Sequence, residues 1–204
     1  MGNLYVANGD YDMTTIPEEK HQEYFAKCEE YTKYVDNHRK NVVRAYLYLF
    51  MGKEYPEIGE YDGKEITKNV WKFAWQSIAH DIISHDISKY EDDEFYHYRA
   101  HYYPMDGEEQ NEEAFEEAWK HHYTVNDHHP EHWADINGNP KNMPLPQVIH
   151  MMCDWASFAV SGDGDAFVFD KNETVEFWNK EKVTNRKKYT EEMVSLIDRI
   201  IDIL

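Results

Sequence analysis

The chain of 204 residues carries 40 Asp and Glu against 21 Lys and Arg, a net charge of −19. Such an excess of negative charge excludes nucleic-acid duplexes as expected partners, because their affinity rests on neutralised phosphates. With 41% apolar and 15% aromatic residues, the chain holds too much packing material to stay disordered, and its length suits one domain.

From the amino terminus, residues 1–13 read as irregular. Thr15-Ile16-Pro17-Glu18-Glu19 then forms a helix start, with a capping hydroxyl, an early proline and acids in the first turn. In the helix that follows, Cys28, Tyr31, Val35, His38, Val42, Ala45 and Leu49 recur at steps of three and four, one stripe ending near Gly52. His38 lies in that stripe. Residues 52–67, with Pro56, Gly59 and Gly63, read as a connection. Thr67 is placed to cap a second helix through Val70, Phe73, Ala74, Ile78 and Ile82, ending close to His85-Asp86.

Residues 91–103 form an acidic and aromatic helical segment before Pro104 and Gly107 interrupt it. The next helix is expected over residues 108–123, burying Ala114, Phe115, Ala118 and Trp119. A histidine cluster around Pro130 and an irregular stretch over residues 137–146 follow. Residues 145–160 are apolar almost all round, as in a helix through the middle of a core, and Asp154 is their one formal charge. A short aromatic segment over residues 175–178 precedes a final amphipathic helix over about 190–203. No repeat and no substantial sheet is expected, so the fold class is all-α in a single domain. The longest apolar run, residues 45–51, falls well short of the ~20 residues of a membrane span. No membrane partner and a cytoplasmic location are expected. Cys28 and Cys153, lacking CxxC spacing, read as reduced thiols, with a disulfide between them left open.

Two constellations carry chemistry. The first is Ile83-Ser84-His85-Asp86-Ile87-Ser88-Lys89, where an imidazole and a carboxylate side by side suit a borderline divalent ion. Alone, the pair is equally an ordinary helix terminus. Asp154 changes the weighing, because a carboxylate among Met151, Met152, Trp155 and Phe158 is costly to bury without a cation or a hydrogen-bond network. The second is His121-His122, Asn126 and His128-His129-Pro130-Glu131-His132. If the helix persists past residue 123, His122, Asn126 and His129 share one face; the alternative is a histidine-rich surface turn.

The order of these pieces resembles the HD-domain metal-dependent phosphohydrolase superfamily, in which an early-helix histidine, a helix ending in His-Asp-Ile-Gly-Lys and a late aspartate bind metal. The corresponding residues are His38, His85-Asp86-Ile87-Ser88-Lys89 and Asp154. A still nearer resemblance is to small uncharacterised bacterial and phage proteins with an His-Asp-x-Ser-Lys-Tyr/Phe run. They share an acid-Phe pair like Glu94-Phe95, a segment like Ala118-Trp119 through His129, and Met-x-x-Asp-Trp. That nearer resemblance covers about residues 30–160; the chain departs from the HD pattern at Ser88, where that pattern usually has glycine, and in loose spacing before the final aspartate. The resemblance implies an HD-like helical bundle in which His38, His85, Asp86 and Asp154 hold one divalent ion. His122, with one or both of His128 and His129, would hold a second ion or contact substrate. The metal is one of Mn, Fe, Co, Ni or Zn. Lys89 and Asn126 would contact substrate, and Glu94 would accept a proton from the metal-activated water or orient that water. The implied activity is hydrolysis of a small phosphoester, a nucleotide among the candidates. Two rival readings are a protein that binds metal or nucleotide without cleaving it, and an acidic helical interaction protein. Oligomeric state is left open.

Overall fold

A computed structural model describes residues 16–50, 59–162 and 167–203, and the Thr15 cap lies outside them. Among the described residues the fold is all-α apart from two short antiparallel hairpins. The chain forms two compact units: residues 16–37 with 86–125, and residues 38–85 with 126–203 as far as they are described. Helix α1 (His21–Phe50) gives its first part to one unit and the remainder to the other.

In the first unit α1 is joined by a 3-10 turn (Ile87–Tyr90), α4 (Asp92–Tyr102) and α5 (Glu112–Val125). Tyr31 and Val35 of the α1 stripe pack with Tyr98 and Ala118, and the rings of Phe95, Tyr103, Phe115 and Trp119 close over them. Residue 108 was expected inside α5. Instead Glu108 accepts two hydrogen bonds from the buried guanidinium of Arg99, at 2.5 and 2.7 Å, and a third from the Met105 amide. The helix therefore starts later, where the Asn111 side chain accepts from the Ala114 amide. Charge-assisted, bidentate pairing of a buried arginine outweighs one more helical turn.

The second unit opens with the rest of α1, whose Val42, Ala45 and Leu49 are buried as the stripe predicts. A hairpin follows, β1 (Gly59–Tyr61) and β2 (Lys64–Ile66), turned by Asp62-Gly63 with φ of 51° and 68°. Positive φ at both central residues is the geometry that matches strand twist, and Asp-Gly supplies it cheaply. Thr67 caps α2 (Lys68–Ser77) by accepting from the Val70 amide. The expected single helix breaks at Ile78, and a short α3 (Ala79–Ile83) continues. Trp71, Ala74, Ile78 and Ile82 face the core, whereas Val70 and Phe73, expected on that face, are exposed. Trp71 is the larger apolar group, and steps of three and four from it reach Ile82 on the same side.

Helix α6 (Leu145–Ser157) crosses the core between α2 and α7 (Lys171–Thr184). Its start follows from Pro144 and Pro146, tolerated in a first turn that needs no amide donors. Strands β3 (Val160–Ser161) and β4 (Val168–Phe169) form the second hairpin. Helix α8 (Glu191–Ile203) buries Met193, Leu196, Ile197, Ile200 and Ile201, so the terminal stripe closes the core of its own unit. Cys28 and Cys153 are both free thiols, and no described helix is long and apolar enough to cross a membrane.

Candidate metal centre

Helix α3 ends at Ile83, and its last carbonyls need donors. Arg39, the residue after His38 on α1, supplies them. Its Nε donates to the His85 carbonyl at 2.8 Å and its Nη2 to the Ile83 carbonyl at 3.0 Å. This strap ties the end of α3 to α1 and brings the His85 ring beside His38.

The two rings meet a third group from α6. His38 Nε2 lies 3.1 Å from His85 Nε2 and 3.0 Å from Asp154 Oδ1, and His85 Nε2 lies 3.4 Å from the same oxygen. His38 is 8% exposed, His85 1%, and the Asp154 side chain 15%. An ion bound at about 2.0–2.1 Å by nitrogen and oxygen sets neighbouring ligands about 2.8–3.4 Å apart, from octahedral to tetrahedral geometry. The three distances fall in that window, so these residues fit a divalent ion. Burial opposes ionisation of Asp154, yet hydrogen bonds and charge from His38 and His85 outweigh it and hold the carboxyl well below its ordinary range.

Behind the rings stand two groups the sequence reading did not single out. His85 Nδ1 is 3.0 Å from His150 Nε2, and His38 Nδ1 is 3.1 Å from Ser157 Oγ. Both belong to α6, four residues before and three after Asp154, so one helix face carries all three. That spacing is readable in the sequence, but neither residue carries the formal charge that marks Asp154 in an apolar helix. His128, 2% exposed, packs its ring 4.5 Å from His85 and 4.4 Å from His150, a second group of metal-ligating type. His129 is half-buried, with its ring 4.4 Å from that of His128. The Phe158 ring lies 5.3 Å from His38 and lines a cavity of about 310 Å³ with Trp155, Phe177 and Lys180.

In the first unit Asp86 opens the 3-10 turn in the left-handed region, with φ 53°. Its Oδ2 pairs with Lys89 Nζ at 2.7 Å and its Oδ1 lies 3.4 Å from His122 Nε2. Lys89, expected to contact substrate, is thus engaged by Asp86. Glu94, expected to handle a proton, is fully buried and binds His122 Nδ1 at 2.8 Å and His121 Nδ1 at 2.9 Å. Desolvation raises its pKa, but hydrogen bonds from His122, Ser88 and His121, with the charge of His122, hold it below the ordinary carboxylate value. The helical face proposed for His122, Asn126 and His129 does not form. Helix α5 ends at Val125, and His129 adopts an extended conformation ahead of a 3-10 turn, because Pro130 has no amide to donate. Asn126 is half-buried, and its carbonyl accepts from the His129 amide at 3.3 Å.

The model of DUF5662, a family of unknown function, matches residues 27–203. No curated protein and no solved structure matches the chain.

Proposed function

We propose that this chain, which belongs to the DUF5662 family, is a metal-dependent phosphohydrolase acting on a small phosphoester. The observation that carries the reading is the convergence of His38 Nε2, His85 Nε2 and Asp154 Oδ1 within 3.4 Å of one another. Two imidazoles and one carboxylate are the ligand types of hydrolytic sites built on borderline ions, and three protein ligands leave coordination positions for water and substrate.

When bound, a divalent ion at such a centre acidifies water toward neutral pH and polarises a phosphoryl oxygen. The chain's own residues do the rest. His38, His85 and Asp154 fix the position of the ion, and the Arg39 strap holds the backbone of His85 against α1. The exposed Phe158 ring lies 5.3 Å from the His38 ring, at the solvent side of the centre. With two neutral imidazoles and one carboxylate, the centre keeps about one unit of positive charge, which favours a phosphate anion despite the acidity of the whole chain.

The test is elemental analysis of untagged protein purified without chelator, followed by a phosphomonoester, phosphodiester and nucleotide panel with the metal found. Near-stoichiometric metal, product release, and loss of both in Asp154→Ala are expected. Metal binding without turnover of any phosphoester overturns the enzymatic reading and leaves a binding protein. Metal-free protein after supplementation overturns the centre.

A further inference from the structure

We infer that His150 and Ser157 are positioning residues that fix which nitrogen of each ligand imidazole carries the proton. The inference rests on the metal centre proposed above but not on its hydrolytic activity.

A neutral imidazole has one N–H and one lone pair, and which nitrogen has which is set by its surroundings. His38 and His85 point their Nε2 atoms at each other, 3.1 Å apart, and at Asp154 Oδ1. A proton on both Nε2 atoms would set two N–H groups face to face and leave no lone pair for an ion. Placing both protons on Nδ1 frees the two lone pairs, but a buried N–H then needs an acceptor. Each ring has one within reach. His150 Nε2 lies 3.0 Å from His85 Nδ1, and Ser157 Oγ lies 3.1 Å from His38 Nδ1. His150 is 3% exposed and Ser157 1%, so solvent is excluded from both positions.

This arrangement assigns His85 and His38 as Nδ1–H tautomers, with His150 Nε2 and the Ser157 oxygen as their acceptors. All three groups of α6 then act on one point in space. Asp154 faces it directly, and His150 and Ser157 act through the rings in front of them. Because they sit on one helix, their spacing is set by helical geometry rather than by loop conformation. Outer partners of this kind typically change metal affinity by about 10–100-fold. Neither acceptor carries a formal charge, so both rings remain neutral donors and the centre keeps its positive charge for an anion.

The experiment uses the full chain, purified metal-free and titrated with cobalt(II), with binding followed by calorimetry and by the visible spectrum. His150→Leu and Ser157→Ala are expected to weaken cobalt binding by about 10–100-fold and to alter the band positions, while His150→Gln, whose amide oxygen accepts a hydrogen bond, restores most of the affinity. Melting temperatures of the metal-free variants separate loss of folding from loss of binding. On the wild type, long-range proton–nitrogen spectra of the zinc-loaded, histidine-labelled protein are expected to show Nδ1–H on His38 and His85. An Nε2–H on either ring overturns the inference, as does unchanged affinity in both disruptive variants. Loss of a whole second equivalent of cobalt in His150→Gln also overturns it, since His150 would then be a ligand. Failure of the wild type to bind cobalt overturns the metal centre itself, a result distinguishable from the others.

Discussion

The two units each bury histidines next to carboxylates and place the charges differently. In the first unit Glu94 stands behind His122, on Nδ1, and Asp86 in front of it is already paired with Lys89. In the second unit the groups behind His38 and His85 are neutral, and the carboxylate stands in front, where Asp154 forms its ion pairs, among the described residues, with those two imidazoles alone. One arrangement carries its own cation. The other sets a carboxylate between two imidazoles, and among the described residues no lysine or arginine is paired with Asp154, which is where an added cation would gain most. Similar side chains thus make a self-compensated cluster in one place and a group that could hold a metal ion in the other.

The largest expected effect is on the second unit. Asp154→Asn should weaken divalent-metal binding by more than ~100-fold, beyond the cost of losing an outer partner, and calorimetric titration reads it directly. Undiminished affinity would place the ion elsewhere and collapse the contrast. Next comes the scaffold of the first unit. Glu108→Ala leaves the Arg99 guanidinium, 0% exposed, without its carboxylate, so urea unfolding should show a loss of about 3–5 kcal/mol. A loss below ~1 kcal/mol would mean that water reaches Arg99 and that the unit is not a dry core.

Lys89→Met sharpens the comparison by removing the built-in cation. Asp86, 2% exposed, is then left as a buried anion, and stability should fall by about 3 kcal/mol. Part of that loss should return on adding a divalent ion, so the metal-induced rise in melting temperature should exceed that of the wild type. An equal rise in both proteins would show that Lys89 does not occupy a cation's place. The smallest effect concerns acid. Burial raises the Asp198 pKa, but hydrogen bonds from Lys182 and Trp178 lower it by more, to below the ordinary value of 3.8. A depressed carboxyl contributes stability that is present above its unfolded pKa and lost as pH falls through the folded one. Melting curves of Asp198→Asn between pH 2 and 7 should therefore flatten at the acid end relative to wild type; parallel curves would remove Asp198 from the acid response.

Much of the helical frame is legible in periodicity and caps. The stripe from Tyr31 to Leu49, the Thr67 cap and the apolar faces of α6 and α8 all follow local rules, which is why they can be read without partners in view. The errors have tertiary causes. Glu108 looks like a first-turn acid until Arg99 claims it, and Phe73 looks like core until Trp71 takes the inward face. The Asp62-Gly63 dipeptide is itself a hairpin signal, although the prolines and glycines of residues 52–67 read as a plain connection. At the site, His38, His85 and Asp154 were legible as types in an order. Their convergence depends on Arg39, whose partners are carbonyls 44 and 46 residues away, and no local pattern announces that.

Asp86 holds a backbone conformation that an L-residue with a side chain enters at a cost, of order 1–2 kcal/mol for the left-handed region and less for Asp than for most. An engineer who relieved that strain with glycine or asparagine would gain less than the lost pair with Lys89 costs, because the 2.7 Å contact lies almost wholly out of water. Either choice also discards a carboxylate that neighbours His85 in the chain. Libraries aimed at robustness should keep that codon locked, since the cation three residues on is what makes the strained turn worth holding.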